Sequence, residues 1–376
     1  MNLSACPRGA FGDERWNELV DRFDEAWLWH RSEFRESVDY RVDQTDHSFV
    51  VLDEAKNPLA IVPLRLAHYR VFRVVPVRAL RSVGGPATAN GLGSKHRGKV
   101  LGFVNEHLWA LASRLDVMEI EMSCPPMAPA LRGERCPRTN PLIWAGCQDL
   151  QAQTWVVDLR APEEAIRAAY ADHARKDLRR AARADYQVRE ASGEADLDMY
   201  YRLHCETFRR GGVRPHPRAF YALKFSSFIG KGLARALFAL RGGAVVSANI
   251  TALYKAGAAY YGGVSTRDDA DGANRLLMDA QIMWARQNGA EYLETGQAFL
   301  RGGSAKYEAI SHFKKSFGAE LYPLYQGTIA VNPRMRAALQ WIDAFRRTRR
   351  ARRPHPADRT APGGMRAGAL LRRGPL

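Results

Sequence analysis

The chain has no Gly-x-x-x-x-Gly-Lys-Ser/Thr loop, no His-Glu-x-x-His pair and no Gly-x-Ser-x-Gly elbow. Nucleotide hydrolysis, zinc proteolysis and serine hydrolysis therefore lack their usual signatures. Gly91-Leu92-Gly93 lacks the third glycine of a dinucleotide-binding turn. Cysteine is scarce: Cys6, Cys124, Cys136, Cys147 and Cys205 are an odd number at spacings that match no zinc site. They read as ordinary thiols of a reducing compartment, and no metal is expected. Leu3-Ser4-Ala5-Cys6 mimics a lipoprotein cleavage box, yet no basic segment and apolar stretch precede it, so no signal peptide is expected. Charge-free stretches, such as Gly242–Tyr254, reach only about thirteen residues, too short for a membrane-spanning helix. The expected location is the cytoplasm, with peripheral contact at the inner face of the membrane as a variant.

Acidic charge is also in deficit. Lys and Arg number 56 against 40 Asp and Glu, a formal net charge of +16. Phosphorylated ligands, tRNA and anionic lipid surfaces are the partners such a field attracts. Part of the excess sits in an Arg-rich tail from Arg346 onward, expected to be disordered and uninformative about a site.

The length of 376 residues exceeds what one hydrophobic core usually serves, and 46% hydrophobic content is ample for two. The first half reads as a helix through Trp16, Leu19, Val20 and Phe23, then strands at 48–52, 58–64 and 71–76. A helix over 99–115 and a strand over 117–122 follow. From Gln148 the plan restarts: a strand at Trp155–Leu159, then a helix from Pro162 through a basic segment to Ala184. Helices near 196–209 and 217–228 and strands at 234–240, 244–253 and 258–264 follow. Ala273, Leu276, Leu277, Ala280, Met283 and Trp284 mark a further helix that Asn288-Gly289 ends. A strand at Tyr292-Leu293, a helix over 312–317 and a strand over 327–331 complete the half.

Three segments carry candidate chemistry. Arg267-Asp268-Asp269-Ala270-Asp271-Gly272 precedes the clear helix, whose N-terminus is a natural seat for a pyrophosphate; read alone, the segment is equally a helix cap. In Ile310–Glu320, Phe313 and Phe317 share a buried face and Lys314 stands beside it, facing either a cleft or solvent. In His173–Arg183, Arg175, Arg179 and Arg183 line one helix edge, either an anion-binding surface or a solvated face. Tyr260-Tyr261-Gly262-Gly263 would send one tyrosine to a cleft and the other to the core. Glu294 could serve as a base for an amine if burial raised its pKa.

These features resemble the FemAB-like branch of the GNAT superfamily of N-acyltransferases. Phe313-Lys314-Lys315-x-Phe317-Gly318 is similar to the ending of such enzymes, and Arg175-Lys176-x-x-Arg179-x-Ala181 to their basic segment. The loop at Arg267 resembles the coenzyme A loop, with Ala270 in place of its first glycine. The resemblance is good over 154–331 and covers the first half in outline. It implies an α/β fold with mixed (α+β) sheets and two GNAT-like domains in tandem, 1–148 and a complete 149–345, with the basic tail 346–376 beyond them.

It further implies acyl transfer from acyl-CoA to an amine of a small-molecule or cell-envelope or polysaccharide precursor, by direct attack and without a covalent enzyme intermediate. Lys314, which lies at the catalytic centre in the family, would stabilise the oxyanion, and Glu294 would take the amine proton. Arg267, Ala270, Gly272, Ala273 and Asn274 would hold the cofactor; Arg175, Lys176, Arg179, Tyr260, Tyr261 and Phe313 would line the substrate site. Members that use aminoacyl-tRNA on peptidoglycan-type precursors supply the alternative donor. A non-catalytic module binding nucleic acid or a membrane surface is the rival class, but aromatics do not interleave with the basic runs as stacking platforms require.

Overall fold

The computed structural model describes residues 2–36, 44–72, 74–267, 272–299, 305–339 and 341–342. Ala270, its neighbours Asp268, Asp269 and Asp271, and the basic tail from Arg346 lie outside the described residues. No described helix is long and apolar enough to cross a membrane.

The alternating segments of the second half pair into a seven-stranded sheet. Its spatial order is Tyr186–Glu190, Ala234–Arg241, Ala244–Tyr254, Gly257–Ser265, Tyr292–Gln297, Gln153–Asp158 and Glu320–Pro323. All neighbours are antiparallel except Gly257–Ser265 with Tyr292–Gln297, which run parallel and are joined by the helix Ala273–Gln287. That crossover helix buries Leu277, Met278 and Ile282 on one side, the stripe that its 3.6-residue period sets up. Helices Gly193–Arg210 and Arg218–Lys224 cover the opposite face.

The first half builds a four-stranded sheet on Ser4–Pro7, Phe49–Leu52, Pro58–Val62 and Ala87–Thr88, and a six-stranded one around Val75–Val83 and Glu119–Cys124. Helix Ser94–Arg114 begins earlier than its periodicity predicts and buries Val100, Val104, Leu108 and Leu111. The strand expected at 71–76 is instead a hairpin tip between Arg65–Val71 and Val75–Val83. Phe72 there takes φ 54, which no strand residue can adopt. The long helix expected to run to Ala184 breaks into Glu163–Ala168 and Asp172–Arg183. The strand expected at 327–331 is Tyr325–Ala330, and it pairs with Glu119–Cys124 of the first half, not with the second-half sheet. Apolar alternation identifies such a strand but carries no information about its partner.

The halves are joined at a strained turn. Lys255 and Ala256 link two strands with φ 47 and 55, positions that favour Gly or Asn. The turn is held from outside. Lys255 Nζ donates to the carbonyl of Val20, in the helix Asp13–Arg22, and to those of Phe23 (2.8 Å) and Ala26 (3.3 Å) just beyond it. Arg132 donates to the Lys255 carbonyl at 2.5 Å, and Trp27 Nε1 to Tyr254 O at 2.6 Å. One apolar core then runs through both halves, from Leu80, Val104 and Ile120 to Tyr200, Phe228 and Ile250. Replacing Lys255 by Met leaves buried carbonyls unpaired and is expected to cost about 1–3 kcal/mol. Urea unfolding followed by Trp fluorescence should show that loss as one shifted transition, because the shared core unfolds together.

Candidate active site

The parallel pair is the origin of the site. Gly257, Ala258 and Ala259 register against Tyr292, Leu293 and Glu294, and the pairing then ends. Each strand carries a bulge just beyond that point. Tyr261 is the extra residue where Ile250 and Thr251 face Gly262 and Tyr260; Thr295 is the extra residue where Trp155 and Val156 face Gly296 and Glu294. Bulges bend a strand locally. Each bulged strand keeps its antiparallel neighbour and leaves its parallel one, so an opening forms between Tyr260–Ser265 and Thr295–Gln297. The opening lies at the carboxyl ends of both strands, the end at which the crossover helix begins after Gly272.

The first half has the corresponding parallel pair without the opening. Ala79–Val83 register against Glu119–Ser123 with no shift, and Gly84 N donates to Ser123 O at 2.8 Å. That pair is closed to its end, so among the described residues the inter-strand slot belongs to the second half.

Glu294 and Lys314 stand at the opening. Glu294 is buried and accepts from Thr154 Oγ1 at 2.5 Å. Burial raises its pKa, while the Thr154 hydroxyl, the Lys314 charge and the Gly296 N–H oppose the rise. Lys314, in the last turn of the helix Ala305–Lys315, is also buried. Burial lowers its amine to about 8, and the charge of Glu294 works in the other direction. Each group thus tempers the effect of burial on the other, Thr154 and Gly296 adding to the effect at Glu294.

Two devices aim the lysine. Ser311, one turn earlier, accepts from Trp155 Nε1 at 2.8 Å and from Phe299 N at 3.2 Å, pinning the helix to the strand Gln153–Asp158. Gly296 has φ +100, and a Cβ there would come within 2.5 Å of Lys314 Nζ. Phe313, half-buried, packs edge-on to Phe317 at 5.3 Å.

The remaining candidates divide. Gly272 (φ 92) sits over Asp177 and Ala181, so the basic helix Asp172–Arg183 and the start of the crossover helix come together. Arg275, which the sequence does not single out, ties them. It pairs with Asp177 at 2.7 Å, donates to Ser316 Oγ at 3.0 Å and lies 5.4 Å from the Phe313 ring. Ala273 is buried, and Asn274 Oδ1 accepts from Ser247 Oγ at 2.6 Å, fixing the helix start to a strand. Arg267 is exposed, its N–H on Glu206.

The expected arginine stripe does not meet this loop. With Asp177 and Ala181 inward, the helical period turns Arg175, Arg179 and Arg183 to the far side. Arg175 is committed to Ala168 O (2.6 Å), Tyr170 O (2.7 Å) and Asp172, closing the helix break. Lys176 and Arg179 are exposed. Of the two tyrosines, Tyr260 packs against the core under the crossover helix and Tyr261 against Trp29 and Phe228 on the opposite face. Among the described residues no group of three or more His, Cys, Asp or Glu is placed to hold a metal ion.

A mixed sheet with one splayed parallel pair, a helix starting at the splay and a buried acid–amine pair beside it define a GNAT-type acyltransferase fold, here preceded by a closed copy. Residues 168–315 match the family model described as an acetyltransferase (GNAT) domain. FemX has the same overall fold, with a TM-score of 0.68 at 10% identity over 89% of this chain and 98% of that one. A tandem GNAT protein from the clavulanic acid biosynthesis pathway gives 0.55 at 16% identity over 88% and 99%. L-PGS from Bacillus licheniformis gives 0.55 at 11% over 88% and 97%. No curated protein matches the chain. Residues 168–315 thus carry a GNAT domain, and the chain as a whole has the tandem GNAT fold that FemX also shows.

Gly296→Ala is expected to cost about 1–3 kcal/mol from positive φ and displacement of Lys314 together. Gly289→Ala, with φ +82 and nothing within 4 Å of the added methyl, isolates the backbone part. Paired urea titrations should show the larger loss at Gly296.

Proposed function

We propose that the chain is an N-acyltransferase that moves an acyl group from acyl-CoA to an amine of a small-molecule or cell-envelope precursor, by direct attack. The observation that carries this reading is the buried Glu294–Lys314 pair at the mouth of the strand opening. A bound acyl-CoA supplies the activated thioester. Gly272, Ala273 and Asn274 at the start of a long helix would hold its pyrophosphate, where the dipole favours anions.

The amine attacks the thioester carbonyl and loses its proton to Glu294, whose raised pKa makes it the stronger base. Negative charge gathers on the carbonyl oxygen, and the Lys314 ammonium opposes it in a site from which water is largely excluded. The thiolate then leaves and takes up a proton. The dry, fixed placement of both groups supports this assignment over a general surface role.

A second reading, with aminoacyl-tRNA as donor, is favoured by the exposed Lys176, Arg179 and Arg183 on the outer side of the basic helix. Peripheral attachment to an anionic membrane face would draw on the same charge.

Thermal unfolding in the presence of coenzyme A, acyl-CoAs of rising chain length, and charged or uncharged tRNA separates the donors. A saturating acyl-CoA should stabilise by about 2.7 kcal/mol at a hundred times its Kd, and charged tRNA should not. A shift with charged tRNA alone would transfer the reading to aminoacyl donors.

The pH profile tests the pair. Lys314 is protonated below about 8, so kcat/KM should fall as pH rises through that value. Lys314→Met should abolish this alkaline limb together with most of the rate. Glu294→Gln should lower kcat by about 10²–10⁴. It should also move the alkaline limb to lower pH, since the Glu294 charge holds the Lys314 proton on.

A further inference from the structure

The molecule buries four strongly basic side chains in its described part: Arg8, Arg132, Lys224 and Lys314. Three have evident partners. Arg8 pairs with Asp13 and Asp46, Arg132 with two carbonyls and Glu291, and Lys314 lies in the field of Glu294. Lys224 differs. It is 3% exposed at the end of the helix Arg218–Lys224, with its ammonium 3.9 Å from the ring centroids of both Phe220 and Tyr261 and 5.4 Å from Tyr221. Among the described residues it meets no carboxylate and no hydrogen-bond acceptor. Burial alone pushes its pKa far below the usual amine value, with no acid opposing the fall.

Aromatic faces soften the burial of a cation, but they satisfy none of its three N–H donors. A Met or Leu would fill the same space without that desolvation cost. Packing therefore does not account for an amine at this position.

Nearby titratable groups add no negative charge. His204 donates through Nδ1 to the Tyr221 hydroxyl and accepts the His216 N–H at Nε2, both at 2.9 Å. Burial, His216 and Lys224 hold it neutral, with a pKa of about 4. The other half of the chain supplies a further ring beside Tyr261. Trp29 stacks on Tyr261 at 5.6 Å and is 7% exposed, and its Nε1 is buried without a partner.

The position is functional rather than remote. Tyr261 is the bulged residue that opens the strand pair. Ala259 registers against Glu294, and Tyr261 lies two residues further on, so Tyr261 and Glu294 project from one face of the sheet. Lys224 thus stands over the face on which Glu294 awaits the incoming amine.

We propose that Lys224 anchors an oxyanion, a carboxylate or a phosphate, carried by the acceptor, and thereby selects acceptors that bear one. This rests on the reading of that face as the acceptor side. The ligand supplies the missing countercharge and the acceptors for the three N–H groups. Lys224 is then a specificity residue, distinct from the pair that acts on the reacting atoms.

The test is thermal unfolding of the full chain at constant ionic strength, titrated with sodium pyrophosphate and separately with sodium glutarate. Wild type and Lys224→Arg should be stabilised saturably by one of them, and the part of that response lost in Lys224→Met identifies phosphate or carboxylate as the group recognised at Lys224. Lys224→Met should weaken that apparent Kd at least about ten-fold, the size expected for removing one partner of a buried charge pair. Without ligand, Lys224→Met should melt no lower than wild type, since an unpaired buried amine has been removed. A lower melting temperature would make the amine structural and overturn the proposal. So would equal responses of wild type and Lys224→Met, or no response of wild type to either anion. Coenzyme A titrations in the same series keep the two readings apart: a retained coenzyme A shift with no anion response defeats this inference alone, and the converse defeats only the acyl-CoA donor.

Discussion

The separation of two parallel strands after three paired residues is the constraint on which the rest of the molecule depends. Parallel strands ordinarily pair along their length, since each unpaired backbone group in a buried setting costs free energy. Here two bulges, at Tyr261 and Thr295, turn each strand toward its antiparallel neighbour, so most of its ladder is kept while the inner edges part. The opening exposes backbone, a helix start and the Glu294–Lys314 pair at one end of the sheet. The first half, built on the same plan, has a parallel pair with no register shift and therefore no opening. The difference between the open copy and the closed copy is thus two bulged residues.

The closed copy has another task. It supplies Trp27, Trp29 and Phe34 to the core beneath the second sheet, and the carbonyls of Val20, Phe23 and Ala26 hold the Lys255 turn. The last strand of the chain returns to its sheet, so the second half begins and ends in contact with the first.

Much of the fold is visible in the residues. The strands 234–240, 244–253 and 258–264, the turn at Tyr254–Gly257 and the helix from Ala273 follow from alternation, turn chemistry and a 3.6-residue period, all of which are local. The hairpin tip at Phe72 was hidden because Val71–Pro76 is rich in β-formers, and tertiary pairing overrode that preference. Glu294 and Lys314 are nameable from resemblance and chemistry, but their burial and mutual influence are not. Arg275, Thr154, Ser311 and Lys224 carry no local signal: Lys224 in Phe220-Tyr221-Ala222-Leu223-Lys224 looks like any basic residue closing a helix.

What the sequence alone determined is the set of elements, their chain order and the likeness to tandem acyltransferases, because propensity and periodicity act over a few residues. What only the tertiary structure decided is who neighbours whom: that Tyr325–Ala330 joins the first half, that the arginine stripe turns away from the Gly272 loop, and that Lys224 packs among rings with no counterion among the described residues. Pairing, facing and desolvation depend on groups far apart in the chain, and their energies exist only once those groups have been brought together.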